Sequence, residues 1–453
     1  MLTPAGATAT TAATLAPWPF PFGSHYATPD LPGIGGVIKQ REEDFLVDEQ
    51  PRYQPVGEGE HCYLLIEKRG LSTQEVVALL ARHFRVPRRA IGFAGMKDKR
   101  AITRQVFSVH TPGSTIDDFP MLQNDRAAVL WADMHTNKLR LGHLRGNRFS
   151  VKVRGVRMTQ VLGARIVLER LRTTGVPNFA GEQRFGVRLN NHTLGRFMLR
   201  EDYSALLDEL LAPDPRFPHL NREARAHYAA GDYRAAIMAY PRGCRYECAA
   251  LNALLKGPNP QKAFEAVDAA QRRFWCSAFQ SAVFNRVLME RLEGRPAPLD
   301  ALVEGDLAWK HDNGAVFAVD APTLGDPRTT ERLRAGEISP SGPVWGAEMT
   351  RAAGAPGDTE RRLLDEGSVT PEALELFARR MGPAMSGARR PLRVPLIDPE
   401  VEGGIDEHGE YVRCAFELPP GAFATVVMRE VMKNDAPPTG DGQDAHAEEG
   451  EAE

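Results

Sequence analysis

The chain has 453 residues, 42% of them hydrophobic and 25% charged, which is typical of a soluble globular protein and sufficient for two domains. No apolar run reaches the length of a membrane span, which argues against an integral membrane protein. Five scattered cysteines, an odd number, argue against a disulfide framework. We therefore expect a cytoplasmic protein, and no obligatory protein partner is evident from the sequence.

The net charge of -3 argues against a chain that is basic throughout, but the charge is unevenly distributed. Residues 434–453 carry seven acids and no lysine or arginine, so without them the net charge would be +4. This tail has few apolar residues and is predicted to be disordered. Residues 1–30 lack the basic and continuous apolar regions of a signal peptide and are predicted to be a disordered leader. The mildly basic body between them is compatible with a nucleic-acid partner.

From residue 36 the pattern predicts a short strand, a charged turn, a second strand that contains Phe45, and a third strand in GEGEHCYLLIEKRG. Ser72 and Glu75 then form a capping-box pattern ahead of apolar residues at helical spacing. The sequence therefore predicts an amphipathic helix that ends before Pro87.

Basic residues cluster at the end of this helix, in ARHFRVPRRA. Such a cluster is usually only a solvated surface. Because it precedes the most distinctive segment of the chain, we also consider Arg88 and Arg89 as contacts for a nucleic-acid backbone.

That segment, residues 90–107, reads AIGFAGMKDKRAITRQVF and contains one acid, Asp98. Lys97 and Lys99 flank it and Arg100 follows, and nearby cations favour the ionised form of a carboxylate. A strand is predicted after it, so the acid is expected at a strand edge or in a turn, available as a nucleophile or base. The segment lacks the Gly-Lys-Ser/Thr ending of a phosphate-binding loop. The structural alternative is an aspartate in a charged hairpin turn.

Residues 138–157 hold seven lysines and arginines and no acid. The pattern predicts a strand, a turn at Gly146 and Asn147, and a second strand, with Phe149 just after the turn. Cations for phosphates and a flat ring for an unstacked base suit single-stranded or looped RNA. A core phenylalanine in a charged surface hairpin is the alternative, and both stay open. The candidate phosphate contacts here are Arg145, Arg148 and Lys152.

The remaining sequence predicts a helix over 158–173, the stretch PNFAGEQRFG at 177–186, and mostly helical patterns from about 190 to 390. The longest helix is expected over 261–292. Strand-like sequence then leads into a strand, a Pro-Pro-Gly turn and a last helix. We assign no function to the helical stretch around 201–258.

GFAGMKDKRAITRQ and PNFAGEQRFG closely resemble the two signatures of the TruD family of tRNA pseudouridine synthases, with Ala180 where an aromatic is common. The resemblance implies an α+β fold: a pseudouridine synthase catalytic core with an antiparallel sheet and a central cleft, interrupted by an inserted α/β domain. We expect the core at 31–174 and 394–433 and the insertion at 175–393.

The resemblance also implies the site. The aspartate of the KDK element is the family's catalytic residue, so Asp98 is expected to act on a flipped-out uridine, and Lys39 matches a lysine that pairs with it. Further positions match contacts to the target nucleotide, namely Phe45, Asn147, Phe149 and Phe423. Lys97, Lys99 and Arg100 join the phosphate candidates. The implied substrate is transfer RNA at uridine 13, with no cofactor; the alternatives are the same chemistry on another RNA or a non-catalytic RNA-binding protein.

A metal site is not expected. Cys244 and Cys248, with His227 upstream, lack the second cysteine pair that a zinc site usually provides, and free cysteines explain the spacing.

Deleting residues 434–453 is expected to leave folding and turnover intact and to strengthen non-specific RNA binding, because an acidic competitor for the basic body is removed. Thermal unfolding and RNA titration of the truncated chain check this. A large loss of thermal stability would show that the tail packs against the protein.

Overall fold

The structure, a computed structural model, describes residues 25–382 and 385–434. The acidic tail beyond Asn434 and residues 1–24 of the expected leader lie outside these ranges. No helix within them combines the length and apolar character that crossing a membrane requires.

The strands, numbered in chain order, are β1 (Phe45–Pro51), β2 (His61–Arg69), β3 (Ile91–Phe93), β4 (Ile102–His110), β5 (Ala127–His135), β6 (Leu144–Arg154), β7 (Val176–Pro177), β8 (Leu307–Lys310), β9 (Val316–Ala318), β10 (Ile338–Val344), β11 (Ala388–Pro391), β12 (Arg393–Val394), β13 (Ile397–Asp406) and β14 (Gly409–Leu418). The α-helices are α1 (Thr73–His83), α2 (Val161–Thr174), α3 (Asn191–Leu199), α4 (Tyr203–Leu211), α5 (Arg222–Ala229), α6 (Tyr233–Ala239), α7 (Arg245–Lys256), α8 (Pro260–Glu265), α9 (Ala269–Leu292), α10 (Ala321–Gly325), α11 (Pro327–Arg334), α12 (Gly354–Glu366), α13 (Pro371–Met381) and α14 (Ala424–Met432).

One large sheet combines the beginning and the end of the chain. Its strand order is β13-β14-β6-β1-β4-β2-β5, with β3 beside β4. All neighbouring strands are antiparallel except β1 and β4, which are parallel. The chain leaves this sheet after β6 and returns at β13. At the junction β7 pairs with β12, so the outgoing and returning segments lie side by side.

Helix α1 forms where the capping box predicts it. The Ser72 hydroxyl accepts a hydrogen bond from the Glu75 amide at 3.2 Å, and the Glu75 carboxylate accepts one from the Ser72 amide at 2.7 Å. Val76, Val77 and Leu80 bury the apolar face of the helix against the sheet. These contacts fix the position of the helix N-terminus, which borders the Asp98 segment.

The expected turn at Gly146 and Asn147 is wrong, because both residues lie inside the continuous strand β6. A β-carbon on Gly146 would lie 2.4 Å from the carbonyl oxygen of Leu418, so this glycine permits a close approach to β14. The turn occurs earlier, at residues 141–142. Phe149 is therefore a mid-strand residue.

The inserted domain surrounds α9 and contains a four-stranded antiparallel sheet, ordered β11-β10-β8-β9. Trp275, Phe279 and Phe284 on α9 are fully buried in the core that both domains share. The expected single helix over 261–292 is wrong: α8 ends at Glu265, and the Asp268 carboxylate caps a new helix by accepting from the Ala270 amide at 2.6 Å. The stretch 201–258 folds into α4 to α7.

Residues 25–30, which the sequence assigns to the leader, contact the last helix. The buried carboxylate of Glu430 accepts hydrogen bonds from the Ala27 amide at 2.8 Å, the Thr28 amide at 3.2 Å and the Thr28 hydroxyl at 2.9 Å. The packed part of the chain therefore begins before residue 31.

Two histidines of the inserted domain, the buried His192 and the half-buried His311, predict acid sensitivity. Burial, with the nearby charges of arginines, lowers the pKa of His192 and of His311 from 6.5 to about 4. Between these pH values the unfolded chain binds protons that the folded chain does not. The free energy of unfolding should therefore fall as the pH drops from 6.5 towards 4, by up to about 1.4 kcal/mol per pH unit for each histidine.

Chemical denaturation of wild type and His192→Gln at pH 7 and pH 5 checks this. The variant should lose less stability on acidification than wild type, whereas His227→Gln, a change at a more exposed histidine, should behave as wild type. Equal acid sensitivity in wild type and His192→Gln would contradict the assignment.

Candidate active site

Asp98 lies in the turn between β3 and β4, as expected, and its partner comes from far away in the sequence. The Lys39 ammonium is 3.3 Å from the Asp98 carboxylate and 4.3 Å from the centroid of the Phe45 ring. Lys39 has a φ angle of +56°, in the left-handed region that non-glycine residues seldom occupy. The two charged side chains are 23% and 30% exposed, so a substrate can reach them.

The cations adjacent to Asp98 in sequence have other partners. The Lys97 ammonium lies 2.5 Å from the Glu49 carboxylate, and the two side chains are only 4% and 1% exposed. Lys99 lies 3.5 Å from Glu75. The prediction that Lys97 contacts RNA phosphates is therefore wrong, because this lysine is a buried half of an ion pair.

Buried polar side chains form hydrogen bonds with the main chain of the Asp98 turn. The ammonium of Lys68, a residue that is 1% exposed, donates to the Asp98 carbonyl oxygen at 2.8 Å. The Thr73 hydroxyl accepts from the Lys97 amide at 3.0 Å and donates to the Gln105 side-chain oxygen at 3.2 Å. The main chain of the turn is therefore fixed, while the carboxylate of Asp98 points towards Lys39.

Phe45, Asn147 and Phe149 share one face of the sheet with these groups. Phe45 is 1% and Phe149 is 7% exposed, and their rings meet edge to face with centroids 6.2 Å apart. Phe149 also packs against Phe416. Most of the Phe149 ring thus serves core packing, one of the two interpretations left open by the sequence. The side-chain oxygen of Asn147 has no hydrogen-bond partner among the residues described.

Phe423 belongs to the core and contacts the inserted domain. It precedes α14 as the N-cap residue, is 36% exposed, and borders Gly181 of the PNFAGEQRFG stretch. A β-carbon on Gly181 would lie 3.3 Å from the Phe423 ring, so the glycine brings the ring close to the backbone.

Arg148 and Lys152 lie on the opposite face of β6 from Asn147 and Phe149, because successive side chains of a strand alternate. Arg148 is 2.7 Å from Glu400, and Lys152 is 2.8 Å from Asp406. Their contact with RNA phosphates stays a prediction, and the two cations do not share the face of the sheet that carries Asn147 and Phe149. Acids of β13 and its end neutralise them.

The other phosphate candidates remain predictions. Arg88, Arg89, Arg100 and Arg145 are exposed, and Lys99 is half-buried in its pair with Glu75.

Cys244 is buried, and burial raises the pKa of its thiol to about 12, which disfavours the thiolate that binds zinc. All five cysteines are free thiols, and the described ranges hold no cluster of three His, Cys, Asp or Glu side chains that could bind a metal ion.

Comparison with known proteins shows the family of this chain. The family model of tRNA pseudouridine synthase D (TruD) matches residues 21–431. The chain belongs to the TruD family. Its TruD relatives include proteins named tRNA pseudouridine synthase D from Geobacter metallireducens, 42% identical over 91% of this chain and 98% of the relative, and from Geobacter sulfurreducens, 44% identical over 90% and 97%.

The TruD fold is also supported by a solved structure. A crystal structure of a Methanosarcina mazei protein assigned as tRNA pseudouridine synthase D superimposes with a TM-score of 0.75 at 28% identity, covering 90% of this chain and 96% of that one. This agrees with the expected α+β fold.

Sequence reasoning missed Glu49 and Lys68, although a signal for both was present. Each continues the buried phase of its strand: Glu49 follows Phe45 and Val47, and Lys68 follows Leu64 and Ile66 at two-residue spacing. A charged residue in phase with the apolar face of a strand requires a buried partner.

Lys97→Met should lower the free energy of unfolding by about 3–5 kcal/mol, because it leaves Glu49 charged and unpaired in the interior. It should not change the salt dependence of RNA binding. Denaturant unfolding and RNA titration at several salt concentrations measure both effects. Adding Glu49→Gln to Lys97→Met should restore much of the stability. A lowered salt dependence with unchanged stability would return Lys97 to the RNA-binding surface.

Proposed function

We propose that this chain isomerises a uridine of transfer RNA to pseudouridine, and that the target is uridine 13. The observation that carries the proposal is the accessible Asp98 carboxylate, paired with Lys39 at 3.3 Å in a turn whose main chain is fixed. Membership of the TruD family and the names of its relatives support it. A tRNA substrate implies that the enzyme works in the cytoplasm.

The reaction breaks the bond between C1' of the ribose and N1 of the uracil, turns the base while it stays bound, and joins C1' to C5. C5 loses a proton and N1 gains one, so the reaction requires no oxidant and no cofactor. The uridine must leave the base stack before an enzyme can act on it. The site must therefore bind a flipped nucleotide and supply one ionised carboxylate.

Asp98 supplies that carboxylate. It acts either as a nucleophile, on the sugar or the base, or as the base that removes a sugar proton, and both roles require the ionised form. The ammonium of Lys39 lies 3.3 Å from this carboxylate and orients it. Because Lys68 and the Lys97 amide fix the turn, the carboxylate needs little reorganisation when the nucleotide arrives.

Recognition of the base falls to polar and aromatic groups beside Asp98. The free side-chain oxygen of Asn147 offers a hydrogen bond to the uracil, and leaving it unpaired costs free energy until a ligand binds. Phe423 offers the most exposed aromatic ring of the proposed nucleotide contacts. Phe45 and Phe149 are largely buried and shape the floor of the site.

Asp98→Asn tests the proposal, because the amide keeps the size of the side chain but cannot act as nucleophile or base. The variant should fold, bind tRNA with near-normal affinity and form no detectable pseudouridine. Melting temperature, tRNA affinity and pseudouridine yield are measured together, and pseudouridine is mapped by position in tRNA from a deletion strain.

Turnover within about tenfold of wild type, a barrier change of only about 1.4 kcal/mol, would be too small for the loss of an essential carboxylate and would return Asp98 to a structural role. tRNA binding without pseudouridine formation by the wild-type chain would favour a non-catalytic binder. If the deletion strain lacks pseudouridine at a position other than 13, the uridine at that position is the substrate instead.

A further inference from the structure

Two arginines of the inserted domain lie near Phe423 and face aromatic rings of α9. Arg184 belongs to the PNFAGEQRFG stretch, and its guanidinium is 5.4 Å from the centroid of the Phe274 ring. Arg390 belongs to β11, and its guanidinium is 5.4 Å from the centroid of the Phe284 ring. Both side chains are half-buried.

Neither arginine has an acidic partner among the residues that the structure describes. Arg390 donates only to neutral acceptors, the Asn178 side-chain oxygen at 2.7 Å and the Gly421 carbonyl oxygen at 3.1 Å, with longer contacts to the Asn178 carbonyl. Within the same ranges the Arg184 guanidinium contacts no hydrogen-bond acceptor. Glu182, two residues away, interacts with Arg429 instead.

The pKa values of both arginines are lowered, as expected for cations without an acidic partner. Burial, and then the charge of Arg184, lower the pKa of Arg390 to about 10, and burial lowers the pKa of Arg184. Two guanidinium groups that repel each other while losing water lack a counterion.

Several buried arginines elsewhere in this protein have an acidic partner, whereas Arg225 and Arg393 donate to backbone carbonyl oxygens. Arg154 pairs with Asp44 at 2.7 Å, Arg291 with Asp306 at 3.0 Å, and Arg389 with Glu360 at 2.7 Å. Arg184 has neither kind of partner within the described ranges, and it lies beside Arg390, which has no acid either, so an anion from outside the chain would compensate the charge of the pair.

The pair borders the proposed nucleotide site. Arg390 donates to Gly421, two residues before Phe423, and Leu418 lies opposite Asn147 in the sheet. Gly421 is three positions after Leu418, a distance of at most about 10 Å along the chain. The N-terminus of α14 begins after Phe423, which provides no side-chain cap, so its partial positive charge adds to that of the arginines.

We propose that Arg184 and Arg390 form a binding subsite for one phosphodiester group of the RNA, next to the uridine that is modified. The inference rests on the proposed function, since it takes RNA as the ligand. A guanidinium group suits this role because its planar set of donors can bind two phosphate oxygens at once. The subsite would hold the backbone beside the flipped nucleotide while Asp98 reacts.

The test uses the full chain with Asp98→Asn, to prevent turnover, and tRNA in which single phosphates near the target uridine are replaced by neutral methylphosphonates. One such replacement should weaken binding by about 10-fold or more, the typical value of a hydrogen bond to a charged group. With Arg184→Gln added, that replacement should change affinity less than about 2-fold, because the contact is already lost.

Salt dependence gives a second measurement. Arg184→Gln should reduce the slope of log affinity against log salt by about 0.7, the value for one phosphate contact to a single strand. Arg184→Lys should keep the slope and lose part of the methylphosphonate effect. Arg379→Gln is the matched control: it removes the same charge from α13, where Arg379 is 74% exposed and pairs with Glu375, and should change neither measurement.

A methylphosphonate effect that persists in Arg184→Gln, or the absence of any sensitive phosphate, would overturn the subsite. If Arg184→Gln does not fold, Arg184→Lys decides, and an unchanged methylphosphonate effect in it overturns the proposal. Thermal stabilisation of wild type by inorganic phosphate, without a sensitive tRNA phosphate, would assign the pair to a free anion and also overturn it. Failure of the parent chain to bind tRNA would instead contradict the proposed function.

Discussion

The site depends on cations buried beneath the Asp98 turn. Lys97 is paired with Glu49, and Lys68 donates to the Asp98 carbonyl oxygen. A buried ion pair adds little net stability compared with apolar side chains of the same volume, but breaking it by removing one partner is costly. Its effect here is geometric. The main chain of the turn is held in one conformation. The Asp98 carboxylate contacts Lys39 and is accessible to a ligand from solvent.

The alternation of side chains along β1 and β6 separates the two faces of the large sheet. One face holds Phe45, Glu49 and Asn147 together with the Asp98 turn. The other holds a charged surface in which Arg148 and Lys152 are neutralised by acids of the last two strands. Arg184 and Arg390, near Phe423, have no acidic partner among the described residues, so the proposed phosphate subsite carries positive charge that the outer face of the sheet has lost to ion pairs.

Local sequence patterns predicted the helices and strands that depend on interactions between residues close together in the chain. The capping box at Ser72 located α1, the alternating residues after Asp98 located β4, and the two signatures predicted the fold and the pairing of Asp98 with Lys39. Prediction from local sequence failed where the position of a residue depends on a contact with a distant part of the chain. Gly146 resembles a turn residue until β14 lies against it, and Lys97 resembles a surface cation until β1 brings Glu49 beneath it. Such contacts join segments that are tens to hundreds of residues apart, and no window of sequence contains both partners.

The short pairing of β7 with β12 allows the segment between these two strands to change in length. Because β7 and β12 hold the two connections to the inserted domain side by side, the large sheet contacts the same two chain segments whatever the length of chain between them. Lengthening a segment whose ends are already fixed costs little free energy, since the closure entropy grows only with the logarithm of its length. Helices such as α4 to α7 can therefore be gained or lost in the course of evolution without disturbing the register of β6 with β14, on which the candidate site is built.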